Sequence, residues 1–220
     1  AFFESGNTQF KECESFEILN NNYKNVEYLS QNPIGKSSRS NPVTYLKAYD
    51  DIRNLFARQP LSKQRKYKSG FFSFNIAGGR CEECKGEGEI NIEMQFMADV
   101  KIKCENCNGK KFKDEVLDIQ FNSKNINDIL DMTVSEAIEF FKEYNEDKIV
   151  KKLDFLNQVG LDYVKLGQSS SSLSGGEAQR VKLAYFLSKS NKLDKTIFLF
   201  DEPTTGLHFE DIKKLLISFD

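Results

Sequence analysis

No stretch of this chain approaches the roughly 18 consecutive apolar residues that a membrane-spanning helix requires. The opening Ala1-Phe2-Phe3-Glu4 has neither the basic start nor the long apolar run of a secretory signal. Both absences make the cytoplasm, with no membrane contact, the expected setting. A charge excess is missing too: 31 Lys and Arg face 33 Asp and Glu, a formal net charge of −2. No global basic field therefore advertises nucleic acid, and any such contact must be local. Tryptophan is absent against 19 Phe, a bias to which no function attaches. Internal repeats and long disordered segments are also absent. The Gly-x-x-x-x-Gly-Lys-Ser/Thr loop that cradles nucleotide phosphates does not occur. Its nearest approach, Gly35-Lys36-Ser37, has Ser30 where the first glycine belongs and is read as a chance match. What remains is ordinary for a globular protein, 29% charged and 39% hydrophobic over 220 residues. That length suffices for one ample core or two modest domains.

Periodicity and punctuation place the elements. A strand is expected around Val26-Glu27-Tyr28-Leu29. Asn41 before Pro42 reads as an N-cap and first-turn proline, and Tyr45, Tyr49, Ile52 and Phe56 follow at helical spacing, which predicts one helix to about Ala57. Residues 60–80 are basic, with Lys63, Arg65, Lys66 and Lys68 ahead of Phe71, Phe72 and Phe74. Thr133 and Glu136 form a capping box for a helix whose apolar stripe is Val134, Ala137, Ile138 and Phe141. Another helix is expected at about 147–158 and a Ser-rich loop at 168–172. A last helix is striped by Ile212, Leu215, Leu216 and Phe219.

Four of the five cysteines fall in two Cys-x-x-Cys pairs, Cys81 with Cys84 and Cys104 with Cys107, at a separation suited to a tetrahedral zinc site. Each pair chelates from one turn, while residues 90–96 and 99–103 alternate like hairpin strands, so the ion would close the base of a β-hairpin. Two disulfides, or a redox or iron–sulfur role, are the competing readings; a chain without secretory features disfavours the first. Cys13 has no partner at ligand spacing. Four thiolates on a divalent ion leave a charge of about −2. Arg80, Lys85, Lys103, Lys110 and Lys111 therefore either neutralise the site or bind phosphate, and Lys101 joins them on the hairpin.

The densest information lies in Leu173-Ser174-Gly175-Gly176-Glu177-Ala178-Gln179-Arg180 and in Ile197-Phe198-Leu199-Phe200-Asp201-Glu202-Pro203. Ser174 can cap a helix whose opening glycines leave backbone N–H groups and the positive dipole end open to an anion. Alone, Ser-Gly-Gly is an ordinary surface turn. The second run is a short, buried apolar strand that ends in two carboxylates, where open α/β sheets place their chemistry. Asp201 is expected near a metal and Glu202 near an attacking water.

The pair resembles the signature and Walker B motifs of an ABC-type ATPase. Gly78-Gly79-Arg80-Cys81-Glu82, Leu166-Gly167-Gln168-Ser169, the run from Leu173 to Ala184, Asp201-Glu202-Pro203-Thr204-Thr205-Gly206-Leu207-His208 and Pro33-Ile34-Gly35 with Arg39-Ser40-Asn41-Pro42 go further. They resemble the UvrA family, the damage-sensing component of the UvrABC excinuclease, in part of its C-terminal ATPase half. The fold so implied is α/β: a partial ABC-type P-loop ATPase domain with a helical signature region and an inserted four-cysteine zinc hairpin. Residues 1–30 and 166–220 would belong to the ATPase core, and 31–165 to the signature and insertion domain with the zinc module at 78–112.

The resemblance implies ATP, Mg2+ and Zn2+ as cofactors and a homodimer that recognises damaged duplex DNA, loads UvrB and hydrolyses ATP. It places Gln31, Ser174, Gly175, Gly176 and Gln179 at nucleotide, Glu202 and Asp201 in catalysis, and Arg80, Lys85, Lys101, Lys103, Lys110 and Lys111 as candidates for DNA. Several positions depart from the family pattern: Ser30-Gln31-Asn32 stands before Pro33, and Met97-Ala98 and Lys101-Ile102-Lys103 replace its usual residues. With no Walker A and the switch histidine expected beyond Asp220, the segment alone is expected to be inactive. An ATPase subunit of a membrane transporter, or a non-catalytic zinc-containing DNA-binding derivative, are the alternatives.

Overall fold

A computed structural model describes residues 25–35, 37, 39–92, 94, 100–189, 196–204, 212, 213 and 216. Cys13, Lys36, Met97-Ala98, the run Thr205 to His208 and most of the last expected helix lie outside the described residues. Of that helix, residues 212, 213 and 216 are helical.

Strand β1 (Asn25–Leu29) pairs in parallel with β6 (Thr196–Phe200), Tyr28 opposite Leu199 and Leu29 opposite Phe200. Between them lie helices α1 (Pro42–Tyr45), α2 (Ala48–Ala57), α3 (Pro60–Gln64), α4 (Asp114–Leu117), α5 (Ile126–Asp131), α6 (Val134–Glu143), α7 (Asp147–Gln158) and α8 (Gly175–Leu187). Two antiparallel hairpins, β2 (Glu89–Ile92) with β3 (Val100–Lys103) and β4 (Gln120–Phe121) with β5 (Lys124–Asn125), complete the described set. The sheet joining distant ends of the chain and the helices between them make this an α/β fold.

The α6 and α7 helices run as the sequence predicts. Thr133 caps α6 reciprocally with Glu136, and Val134, Ala137, Ile138 and Phe141 are its buried residues. α7 buries Ile149, Leu153 and Leu156 and packs against α6, α2 and α8. The helix expected from Pro42 to Ala57 is instead two. Lys47 adopts a left-handed φ of 59°, which breaks the ladder after α1 and redirects α2. Tyr49 then points inward, and its hydroxyl donates to the Phe72 carbonyl at 2.7 Å in a buried bond.

The basic stretch after residue 60 folds into α3 and a 3-10 turn at Ser69–Phe72. Phe72 and Phe74 enter the core beside Phe56 and Phe112, while Phe71 stacks on Tyr67 with centroids 3.9 Å apart. Buried side chains from Leu29 to Ala184 form one continuous cluster. Deleting a fully buried Phe from such a core costs about 3–5 kcal/mol. In β6 Leu199 is 49% exposed, while the rest of the strand is partly buried. Alternation explains it, since Phe198 and Phe200 pack on the core, Phe198 against the Phe186 ring, and Leu199 points to the other face.

Candidate nucleotide half-site and four-cysteine centre

The chain reverses at the C-terminal end of the β1–β6 pair, and three side chains tie that end together. The Gln31 amide donates to the Asp201 carbonyl at 3.1 Å, and the Gln179 amide donates to the carbonyls of Leu29 at 2.7 Å and Asp201 at 3.0 Å. The Tyr28 hydroxyl donates to Asp201 Oδ2 at 3.3 Å. Asp201 and Glu202 are thus presented outward from a braced strand end, with both side chains exposed. Glu202 holds a left-handed φ of 46°, a conformation that non-glycine residues adopt mainly where surroundings enforce it. Gln179 is buried, and its amide nitrogen braces β1 against the Asp201 backbone.

α8 begins beside this cluster. Ser174 Oγ accepts from the Glu177 N–H at 3.2 Å, and Glu177 Oε2 accepts from the Ser174 N–H at 2.7 Å, a full capping box. The Tyr163 hydroxyl adds a third bond at 2.7 Å to Glu177 Oε1. Burial pushes the Glu177 carboxyl up, but the bonds from Tyr163 and Ser174 and the nearby Arg180 charge outweigh it and hold the group below its ordinary value. Burial, and then the bond to Glu177, push the Tyr163 hydroxyl up to about 12. A carboxyl held low in the fold contributes stability that is present above its unfolded value, about 4.3, and lost as pH falls through the folded value. The melting-temperature advantage over Glu177→Gln should therefore be largest near neutrality and shrink as pH drops below about 4. An advantage that did not change with pH would show that the charge of Glu177 is immaterial.

Gly175 lies close against Gln31: a Cβ there would sit 2.9 Å from Gln31 Oε1 and 3.0 Å from Gln31 Cβ, so a larger residue would displace the Gln31 side chain. The first residue of α8 therefore packs directly on Gln31, the strand-end residue bonded to Asp201. Lys182, one face further along α8, donates to the carbonyls of Ser30 and Asn32 at 2.9 and 2.8 Å. The sequence carries no local signal for the Tyr28, Tyr163 or Lys182 contacts.

The second centre lies at the base of the β2–β3 hairpin. Cys81, Cys84, Cys104 and Cys107 are all buried, their sulfurs within 4.8 Å of one another. The Cys81–Cys104 and Cys84–Cys107 sulfurs are 3.9 and 3.7 Å apart. A tetrahedron with zinc–sulfur bonds of about 2.3 Å has edges of about 3.8 Å, which these two separations match. A disulfide needs about 2.05 Å, and all four thiols are free. After each Cys-x-x-Cys pair the backbone turns left-handed, at Lys85-Gly86 and at Asn108-Gly109. A Cβ at Gly86 would lie 2.0 Å from the Phe74 carbonyl oxygen, so the turn sits hard on the core. Burial pushes the Cys107 thiol up to about 12 and raises Cys84, whereas for Cys81 burial is outweighed by the N–H groups of Cys84 and Glu83 and the value falls.

The basic candidates divide. Lys85, Lys101, Lys103 and Lys110 are exposed. Arg80 is spent on the Asn75 carbonyl and Glu82. Lys111 is half-buried, donates to the Gly167 carbonyl at 3.1 Å and lies over the Phe74 ring; burial lowers its pKa. A cleft of about 710 Å³ separates the hairpin, with Lys101 and Lys103, from a facing wall that carries Lys165, Ser169 and Ser171.

A helix that opens on Ser-Gly-Gly against the Gln of one strand end, with Asp-Glu leaving its partner strand, resembles the signature and Walker B portion of an ABC-type nucleotide-binding unit. Residues 76–205, more than half of the chain, match the family model described as ABC transporter. The chain is also 52% identical over 209 residues to UvrABC system protein A of Borreliella burgdorferi, covering 94% of this chain and 22% of that protein. With UvrABC system protein A of Aquifex aeolicus it shares 52% over 215 residues, covering 98% and 23%. The crystal structure of UvrA2 from Deinococcus radiodurans superposes with a TM-score of 0.84 at 44% identity, over 90% of this chain and 24% of that one. The chain belongs to the ABC ATPase family, in its UvrA branch. It spans less than a quarter of the length of these relatives. Among the described residues no helix is long and apolar enough to cross a membrane.

Proposed function

We propose that this chain is the signature and Walker B segment of an ATP-dependent DNA-damage-recognition protein of nucleotide excision repair. As part of the longer protein it would act in the cytoplasm as a homodimer that binds distorted duplex DNA and loads UvrB. The observation that carries the reading is the junction of Gln31, Asp201 and Gly175 in the same chain as a four-sulfur centre of zinc dimensions. The names of the relatives favour it over a transporter subunit, and both carboxylates of a hydrolase favour it over a non-catalytic derivative. Residues 1–30 and 166–220 would form ATPase core and 31–165 the inserted domain.

In an ABC dimer the nucleotide lies between the Walker residues of one unit and the signature of another. Asp201 and Glu202 would then serve one ATP, and Ser174, Gly175 and Gly176 would reach a second. Asp201 would hold magnesium, which would supply charge neutralisation at the phosphates. Glu202 orients a water and accepts its proton as the water oxygen bonds to the γ-phosphorus; the bond from that phosphorus to the bridging oxygen breaks, and ADP departs. Ser174 Oγ accepts from the Glu177 N–H, which leaves its own proton available to a phosphate oxygen beside the helix N-terminal N–H groups. Zinc would be held by Cys81, Cys84, Cys104 and Cys107 and would fix the hairpin base.

Exposed Lys85, Lys101, Lys103 and Lys110 are the proposed contacts to DNA phosphates. In a protein of the relatives' full length, Lys103→Ala and Lys110→Ala should each weaken binding to damaged and intact duplexes alike. Each should also reduce the slope of log affinity against log salt by at most about one unit. Titrations of matched duplexes at several salt concentrations read this directly. Unchanged affinity and slope in both variants would remove these lysines from the DNA interface.

A further inference from the structure

Two grips that neither a metal nor a nucleotide requires hold the four-cysteine module to the rest of the molecule. On one side Arg39 donates to the Lys85 carbonyl at 3.4 Å and lies 4.0 Å from Glu87. On the other, Lys111 is engaged at both of its ends. Its carbonyl accepts from the Cys81 N–H at 2.9 Å, and its ammonium donates to the Gly167 carbonyl at 3.1 Å. The side chain passes over the Phe74 ring, with Nζ 5.6 Å from the centroid, and the backbone is left-handed at φ 70°. A lysine serving DNA would keep its ammonium in solvent.

Both grips land on the segments that frame the nucleotide half-site. Arg39 lies on the stretch leaving Gln31, and Gly167 opens the loop entering Ser174. These segments are joined to each other, since the Ser170 N–H donates to the Ser40 carbonyl at 2.7 Å and Ser170 is buried. Gly167 has little freedom to drift: its N–H donates to the Leu130 carbonyl at 2.7 Å, and a Cβ there would lie 2.9 Å from Leu130 Cβ. Gly167 is thus fixed to α5, so a shift that carries α5 and the loop leading to Ser174 together also moves Lys111, and through its carbonyl the first cysteine of the module.

We propose that Lys111 is a positioning residue: it registers the four-cysteine module against the loop that feeds α8, so that the hairpin and the signature glycines move as one unit when nucleotide binds. This rests on the nucleotide-site reading given above. It assigns Lys111 to coupling between the two sites and withdraws it from the DNA-contact set. A packed, bonded connection of this kind carries energetic coupling through rigid elements that shift together.

The test uses a protein of the relatives' full length in wild-type, Lys111→Met and Lys111→Arg forms. Zinc content and duplex affinity are measured, the latter with and without a non-hydrolysable ATP analogue. Lys111→Met should keep its zinc and hold its nucleotide-free duplex affinity within about twofold, while the nucleotide-dependent change in that affinity shrinks by about threefold or more. Lys111→Arg, which keeps a donor for the Gly167 carbonyl, should retain most of the response. A Met variant as responsive to nucleotide as wild type would overturn the coupling alone. Loss of zinc in that variant would overturn it in favour of a metal-site brace, and a weaker nucleotide-free affinity with a shallower salt slope in favour of a phosphate contact. A wild-type protein with no response to nucleotide would overturn the nucleotide-site reading and the coupling with it.

Discussion

Replacing Cys104 with serine is expected to reduce bound zinc from about one per chain to nearly none. Cys104 is fully buried, its sulfur 3.9 Å from that of Cys81. A serine oxygen there is a poorer ligand and leaves the other three thiols without the ion that stabilises them as thiolates. Structural zinc contributes about 10–16 kcal/mol of apparent binding free energy in small zinc domains, so its loss should also release the β2–β3 hairpin. Apolar packing contributes little to the hairpin strands: among the described residues Ile92, Val100 and Ile102 are exposed and Ile90 is the partly buried hydrophobic against the cysteines. The continuous core should survive, since the cysteines form a separate cluster. Metal analysis with hydrogen exchange across residues 81–107 reads both effects. Cys13→Ser should change neither, and undiminished zinc in Cys104→Ser would refute the assignment.

Glu202→Gln, in a protein of the relatives' full length, should slow ATP turnover at this site by about 10²- to 10⁴-fold, the range for loss of a positioned general base. ATP binding should persist. The amide preserves shape and the left-handed backbone of Glu202, and the bonds from Gln31, Gln179 and Tyr28 to Asp201 are untouched. Nucleotide should therefore accumulate unhydrolysed. The measurement is single-turnover hydrolysis with any second ATPase site disabled. A rate near wild type would remove Glu202 from the role of base.

Local chemistry made some of this molecule readable from its sequence. The Thr133 and Glu136 capping box announced α6, Ser174 announced α8, and the paired Cys-x-x-Cys spacing announced a four-sulfur centre. Each depends on residues within a few positions of one another or on one ligand geometry. The break at Lys47 was not legible, because the apolar spacing continues through it, while the inward Tyr49, bonded to the Phe72 carbonyl and packed on the Phe74 ring, follows the turn. The β4–β5 hairpin leaves little trace in the sequence although Asn122 and Ser123 both take positive φ, at 47° and 64°; Asn-Ser is a weaker turn signal than Asn-Gly. α5 is equally inconspicuous at six residues, despite the reciprocal cap between Asn125 and Asp128. Within the site, the carboxylates and glycines were legible, but their bracing was not. Tyr28 to Asp201, Lys182 to Ser30 and Lys111 to Gly167 link residues far apart in sequence, and Gln179 and Lys111 look the same in a motif whether they face a ligand or a carbonyl.

The most direct test of the account is whether damage recognition depends on the hairpin while nucleotide binding does not. A full-length protein in which a short Gly-containing bridge replaces the segment between Gly79 and Lys111 should bind ATP with near-unchanged affinity, because Gln31, Ser174, Gly175, Asp201 and Glu202 all lie outside the deletion. Its preference for damaged over intact duplex, measured by titration of matched oligonucleotides in the presence of ATP, should collapse toward one. Undiminished discrimination in that protein would contradict the account, leaving the four-cysteine module as a brace of the fold and its lysines as compensation for thiolate charge.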